Sequence, residues 1–265
     1  MISPELTAIV PTRKNTPRRV LVAVVGAILL GTSAGAKPIA RPAETNPVVR
    51  GSEGPPSISR YISETEFDRL FPQRDPLYSY SALLEAGSAF PVAFSVGSET
   101  TRRRELAAFL ANVSHETSNM KLIREANTAN WPLYCDPSNH PCLPGRHYYG
   151  RGPIQLSWNY NYAAAGAALG FDLSGDPDLV VSDSVVAWKT ALWFWTTQNG
   201  SGQLPAHEAM TLGEGFGETI RSINGALECG KKQGDLEFAQ MQHRVELYQS
   251  LAAALGVPDG EVSGC

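Results

Sequence analysis

Where apolar residues recur along this chain, they recur mostly at helical spacing. Between Thr101 and Ser114, the positions Leu106, Phe109, Leu110 and Val113 follow the i, i+3, i+4, i+7 rule and predict an amphipathic helix. A second helix is expected from about Asp183 to Thr196. Its residues Val185, Val186, Trp188, Leu192, Trp193, Phe194 and Trp195 surround nearly the whole circumference, so it belongs in the middle of a fold. A third is expected from about Asp235 to Leu255, with Met241, Val245, Tyr248, Ala252 and Leu255 on one stripe and Gly256 and Pro258 closing it. A short helix over Glu218–Ile223 is expected to stop at Asn224-Gly225. Near the start of the globular part, Ser63-Glu64-Thr65-Glu66 is a capping box flanked by the staple residues Ile62 and Phe67. It predicts a helix with Phe67, Leu70 and Phe71 inward, ended by Pro72 and Pro76. Strand-like alternation is scarce. The pattern predicts a mainly α architecture, without internal repeats or a second globular domain. Long polar loops rich in Gly and Pro are expected between Asn119 and Tyr162.

The N-terminal part follows a different pattern. Arg13, Lys14, Arg18 and Arg19 precede Val20–Leu30, which is apolar except for Gly26, and Ala34 and Ala36 form an A-x-A cleavage pattern. Eleven positions fall short of the roughly 20 that a membrane span needs, so residues 1–36 read as a secretory signal peptide. The Arg18-Arg19 pair fits a twin-arginine signal and an ordinary basic n-region equally well. Residues 37–57 hold five prolines and read as a linker, with globular sequence over 58–265.

Composition and charge narrow the class. The chain has 265 residues, 43% of them hydrophobic and only 18% charged, which suits one sizeable core rather than a coiled coil or a charged disordered chain. Removing residues 1–36 takes away four basic residues and one acidic one, so the formal charge moves from −4 to −7. No basic run tracks a phosphate backbone, and nucleic acid is not an expected partner; nor is a membrane after cleavage. Export implies an oxidising compartment, where Cys135, Cys142, Cys229 and Cys265 would form two disulfides. Four cysteines allow three connectivities, and proximity favours Cys135–Cys142 with Cys229–Cys265. No C-x-x-C spacing exists, and no metal or other cofactor is expected.

Two carboxylates stand out. Glu116 ends the amphipathic helix in Ser114-His115-Glu116-Thr117, three residues after Val113 and seven after Phe109, so it points to the apolar side. Desolvation there raises a carboxyl pKa and keeps the proton that a general acid needs. A glutamate reaching water at a helix end is the plainer alternative. Nine residues on, Glu125 lies in a polar stretch beside Arg124, where it is expected to stay ionised, either as a catalytic base or in a surface salt bridge to Arg124. Two carboxyl groups in unlike environments are the acid/base pair of a glycosidase. The run 148–162, YYGRGPIQLSWNYNY, adds hydroxyl, amide and aromatic groups suited to sugars, among them Gln155, Ser157, Asn159 and Asn161. Asn224-Gly225 and Glu228 form a second polar cluster. Position 119 is Asn, which rules out H-E-x-x-H, and neither G-x-S-x-G nor a phosphate loop occurs.

These stretches resemble the family 19 chitinases, the plant-type endochitinases also found in actinobacteria. The likeness is carried by Ala107–Thr117, by Tyr134-Cys135, by Tyr148–Ser157 and Asn159–Tyr162, by Asp176–Val180, by Trp188-Lys189-Thr190 with Leu192–Trp195, and by Ile223–Cys229. It covers about Ile58 to Cys265. The resemblance implies a lysozyme-like, two-lobed helical fold with a substrate cleft. It also implies a secreted, monomeric endochitinase that hydrolyses β-1,4-linked N-acetylglucosamine in chitin by inverting single displacement. Glu116 falls on the general acid, Glu125 on the general base and Ser157 on the residue that helps hold the water. Gln155, Tyr160, Asn161, Lys189 and Asn224 fall on sugar-contacting positions, and Glu228 and Arg244 on a supporting charged pair. The proximity pairing of the cysteines agrees with the family.

The sequence departs from the family where two glycines usually follow His-Glu-Thr. Ser118 and Asn119 stand there, and side chains restrict access to φ > 0. Two other functions use the same residues differently: a peptidoglycan-cleaving glycosidase and a chitin-binding protein without catalysis. The second is disfavoured by the presence of both Glu116 and Glu125.

Overall fold

A computed structural model describes residues 58–260 and 264–265. The expected signal peptide (1–36) and linker (37–57) lie outside the described residues. After a 3₁₀ turn at Ile58–Arg60, the helices run α1 Glu64–Leu70, α2 Tyr80–Ser88 and α3 Glu99–Glu116. A 3₁₀ segment, Thr128–Leu133, lies in the long connection to α4 Asn159–Leu169. Then come α5 Leu179–Ser182, α6 Ser184–Thr197, α7 Ala206–Leu212, α8 Phe216–Glu228 and α9 Leu236–Ala254. Among the described residues, extended pairing is limited to isolated bridges of Arg151 with Arg124 and Leu156. No described helix is long and apolar enough to cross a membrane.

Local chemistry sets the helix starts. The capping box is present: Ser63 Oγ accepts from the Glu66 N–H, and the Glu66 carboxylate accepts from the Ser63 N–H at 2.9 Å. Ser98 caps α3 by accepting from the Thr101 N–H at 3.1 Å, which starts this helix two residues before the expected Thr101. Asp183 caps α6 by accepting from the N–H groups of Val185 and Val186 at 2.8 and 3.0 Å.

At the centre is α3, whose residues from Glu105 to Glu116 are all buried. Phe109 sits among Phe94, Trp188 and Trp195, with ring centroids 5.4–6.1 Å away. The expected all-apolar helix is α6, buried as its composition requires. α9 packs along α3, and α8 packs against α9. The paired cysteines are Cys135–Cys142 and Cys229–Cys265, with Cα atoms 6.0 and 4.8 Å apart.

Two sequence expectations are corrected. The short helix does not stop at Asn224: α8 kinks there (φ −140°, ψ 24°) and runs on to Glu228. The turn resumes because Cys229 N–H bonds back to Gly225 O, and Cys229 is tied to the C-terminal residue. The polar connection does not run to Tyr162, because α4 already begins at Asn159. The residues Tyr148–Ser157 are all buried. Their backbone is held in by Gly152 N–H to Ile123 O, Glu125 N–H to Gly150 O and Trp158 N–H to Tyr148 O.

Candidate active site

Glu116 is the last residue of α3 and is 3% exposed. Its Oε1 accepts from Nη2 of Arg244 on α9. The same guanidinium donates to Glu228 on α8 through Nε and Nη2, at 2.8 and 2.7 Å, and to Asn112 Oδ1 through Nη1 at 3.1 Å. Asn224 Nδ2 donates to Glu228 Oε1 at 2.7 Å, and Asn112 Nδ2 to Thr219 Oγ1 at 3.1 Å. Three helices therefore converge on one buried cation flanked by two carboxylates. Burial pushes the Glu116 carboxyl above its ordinary range; the Arg244 charge opposes this and the nearby Glu228 adds to it.

Beyond Glu116 the chain turns through three consecutive residues with positive φ: Ser118 at 51°, Asn119 at 59° and Met120 at 61°. The two side chains that stand where glycines were expected thus adopt the left-handed conformation despite its cost. Local bonds enforce it. Thr117 Oγ1 accepts from the Met120 N–H at 2.8 Å, and Met120 O accepts from the Asp75 N–H at 2.8 Å. Tyr78 OH then donates to Leu122 O at 2.7 Å. The segment between Glu116 and Glu125 is a pinned turn.

Glu125 differs from its sequence expectation. It is only 4% exposed and forms no ion pair with Arg124. Its Oε1 accepts from Asn130 Nδ2 and Tyr134 OH, both at 2.9 Å, while Oε2 is buried and has no partner. Burial raises its pKa, and the Asn130 and Tyr134 donors partly offset that. The correction has a simple cause: pairing of residues 123–125 with the 150–156 turn draws the loop inward. Trp131, stacked on Tyr149 at 3.9 Å, closes over it and donates to Glu125 O at 3.1 Å.

The remaining sequence candidates fall in several places. Ser157 is buried, and its hydroxyl donates to Gln155 O at 2.9 Å. Gln155 has φ +50° and donates through Nε2 to Gly152 O. Gly150 lies against both: a Cβ there would stand 2.9 Å from Gln155 Oε1 and 3.4 Å from Ser157 Oγ. Glu125, Gly150, Gln155 and Ser157 are thereby brought together. Asn161 donates to Ser157 O at 2.9 Å, and half-buried Tyr160 stacks on Trp158. Asn224 joins the Glu116 network, with its Oδ1 buried and unpartnered. Lys189, half-buried on α6, stands over the Phe171 ring at 5.9 Å and touches neither carboxylate network directly.

The sequence assigns no site role to Asn112, Asn130 or Tyr134, although Asn112 and Tyr134 lie in stretches that carry the family resemblance. Asn112 carried a usable signal, since it lies four residues before Glu116 and so on the same helix face. Tyr134 and Asn130 reach Glu125 through irregular backbone, which no spacing rule anticipates.

Comparison with known proteins decides the family. Residues 62–265 match the family model described as chitinase class I. The chain belongs to this family. Among curated relatives, endochitinase B of Zea mays is 46% identical over 190 residues, covering 71% of this chain and 62% of the relative. The aligned part thus spans less than two thirds of that relative's length. Endochitinase A2 of Pisum sativum is 36% identical, covering 81% of this chain and 74% of the relative. Among solved structures, a bacterial family 19 chitinase is 50% identical, with TM-score 0.70 and coverage of 77% of this chain and 100% of the other. Chitinase C from Streptomyces griseus is 49% identical, with TM-score 0.73 and coverage of 77% and 97%. The mainly helical fold is the lysozyme-like fold of this chitinase family.

Proposed function

We propose that the protein is a secreted endochitinase that cleaves β-1,4 bonds between N-acetylglucosamine units by an inverting single displacement. The observation that carries this reading is the buried Glu116, tied to Arg244 through one oxygen only. Its second oxygen is free among the described residues to hold the proton for a glycosidic oxygen. Burial favours the protonated form before reaction, and Arg244 stabilises the carboxylate formed as the proton leaves. Glu228 takes up most of the Arg244 charge, so Arg244 does not strip the proton from Glu116 beforehand.

Glu125 acts as the base. Its unpartnered Oε2 accepts a proton from water while Asn130 and Tyr134 hold Oε1. The Ser157 hydroxyl donates to Gln155 O and retains lone pairs that accept from the same water. The water oxygen bonds to the anomeric carbon as the C–O bond to the leaving sugar breaks. One proton passes from water to Glu125 and another from Glu116 to the leaving oxygen. Asn224 Oδ1 accepts from a sugar hydroxyl or acetamide N–H. Gln155, Tyr160, Asn161 and Lys189 bind neighbouring sugars. Both carboxyls are shifted upward, so kcat/KM is bell-shaped and centred above the ordinary carboxylate range, falling when Glu125 is protonated or Glu116 ionised.

Export fits two disulfides and the 1–36 leader pattern. N-terminal sequencing of protein recovered from the medium should begin at Lys37. The catalytic assignment is tested by hydrolysis of N-acetylglucosamine hexamer by the parent, Glu116→Gln and Glu125→Gln. Cleavage by the parent and near-complete loss in both variants is expected. An active Glu116→Gln variant, or a parent that cleaves only peptidoglycan, overturns the assignment.

A further inference from the structure

One contact outside the groups assigned above bears on them directly. His115 and His243 face each other between α3 and α9, with Nδ1 atoms 3.0 Å apart and ring centroids 5.1 Å apart. Each is the chain neighbour of a member of the Glu116 network: His115 precedes Glu116, and His243 precedes Arg244. An Nδ1···Nδ1 bond needs one proton between the two rings, so one histidine donates from Nδ1 while the other accepts there and carries its own proton on Nε2. His115 is buried and His243 exposed. Burial, with the Arg244 charge and then His243 adding to it, holds His115 well below the usual histidine range. His115 is therefore held neutral, and one of the two rings donates to the other across this contact.

The charged groups around the pair are few. Arg244 follows His243 on α9 and is engaged by Glu116 of α3 and Glu228 of α8. Glu246 lies one turn further along α9 on the exposed side. The histidine contact is thus a hydrogen bond beside an ionic one, and both join the same two helices.

We propose that His243 is a positioning residue: its bond to His115 fixes the end of α3 against α9 so that the Arg244 fork meets the Glu116 carboxyl. The inference rests on the reading of Glu116 as the general acid. A loosened contact lets Arg244 draw away from Glu116. Because Arg244 lowers the Glu116 pKa, its withdrawal moves the alkaline limb of activity to higher pH.

The test uses His243→Leu, which keeps side-chain bulk on an exposed helix surface, and His243→Asn, whose amide places a polar atom where Nδ1 stands. For the hexamer, His243→Leu should lower kcat by about tenfold, as misplacement of catalytic groups does, with KM within about twofold. Its alkaline limb should move upward, and His243→Asn should recover both kcat and the limb. Parent-like kcat and limb in His243→Leu would overturn the proposal. So would a fall in kcat with the limb unmoved, which marks mere loss of folded protein, or an Asn variant as impaired as the Leu variant. Glu116→Gln, assayed in parallel, separates the two failures: if it still turns over, the underlying acid assignment is wrong whatever the histidine variants do.

Discussion

Two glutamates on α3, both buried, are held by very different sets of donors. Glu105 and Glu116 are eleven residues apart, which puts them within about 20° of the same face, and they are 0% and 3% exposed. Glu105 has donors on both oxygens. Its Oε1 accepts from His207 Nδ1 at 2.7 Å and Trp195 Nε1 at 3.0 Å, and its Oε2 accepts from the Phe94 N–H at 3.1 Å. Those donors come from α7, α6 and the loop before α3, so Glu105 fastens three parts of the fold. Glu116 has a partner on one oxygen only. Burial makes an unpaired charge costly at both sites, and the two sites differ in how many donors offset that cost.

The comparison is broken most severely by exchanging the carboxylates for amides. Glu116→Gln should lower kcat by about 10²–10⁴-fold, the usual range for loss of a general acid, with little change in thermal midpoint. Glu105→Gln should do the reverse. It places an N–H₂ among three donors and should cost about 2–4 kcal/mol of stability in urea unfolding, with activity per folded molecule within a few-fold of the parent. Equal effects of the two changes on activity would erase the distinction.

Smaller effects sharpen it. Tyr134→Phe removes a donor that favours ionised Glu125, so the acid limb of kcat/KM should move up by about half a pH unit in rate profiles. His207 tests the structural side. Burial pushes its pKa down, but the Glu105 carboxylate outweighs that and the net shift is upward. A histidine raised in the folded state contributes stability that is complete below the unfolded value near 6.5 and is lost as pH rises through the folded one. Unfolding free energy should therefore fall by about 1 kcal/mol between pH 6 and 9 in the parent, and His207→Gln should remove that slope. The smallest effect is expected beyond Glu116. Ser118→Gly relieves a left-handed serine and should raise stability by about 0.5–1 kcal/mol, with Asn119→Gly gaining less because Asn tolerates that region. A loss of stability in Ser118→Gly would mean that the serine side chain holds the turn.

Residues that obey a helical period were legible without coordinates. The burial of Glu116 followed from Val113 and Phe109, and the core position of α6 from its tryptophans. The capping box fixed the start of α1 because its signal is entirely local. The environment of Glu125 was not legible. A polar loop beside Arg124 predicts exposure, and only its pairing with the distant 150–156 turn buries it. The kink at Asn224 resembled a stop because Asn-Gly usually ends a helix. Here Cys265, at the far end of the chain, anchors the next residues. Glu105 escaped notice because its donors come from parts of the sequence up to about a hundred residues away. The family resemblance supplied candidate roles, whereas the donor count that separates the two glutamates required the structure.

The central claim is that Glu116 protonates the leaving oxygen while Glu125 activates water for direct displacement. Proton NMR of the products during the first minutes of hexamer cleavage tests it most directly. New reducing ends in the α configuration are the predicted result. Initial release of the β-anomer would contradict single displacement and the role given to Glu125.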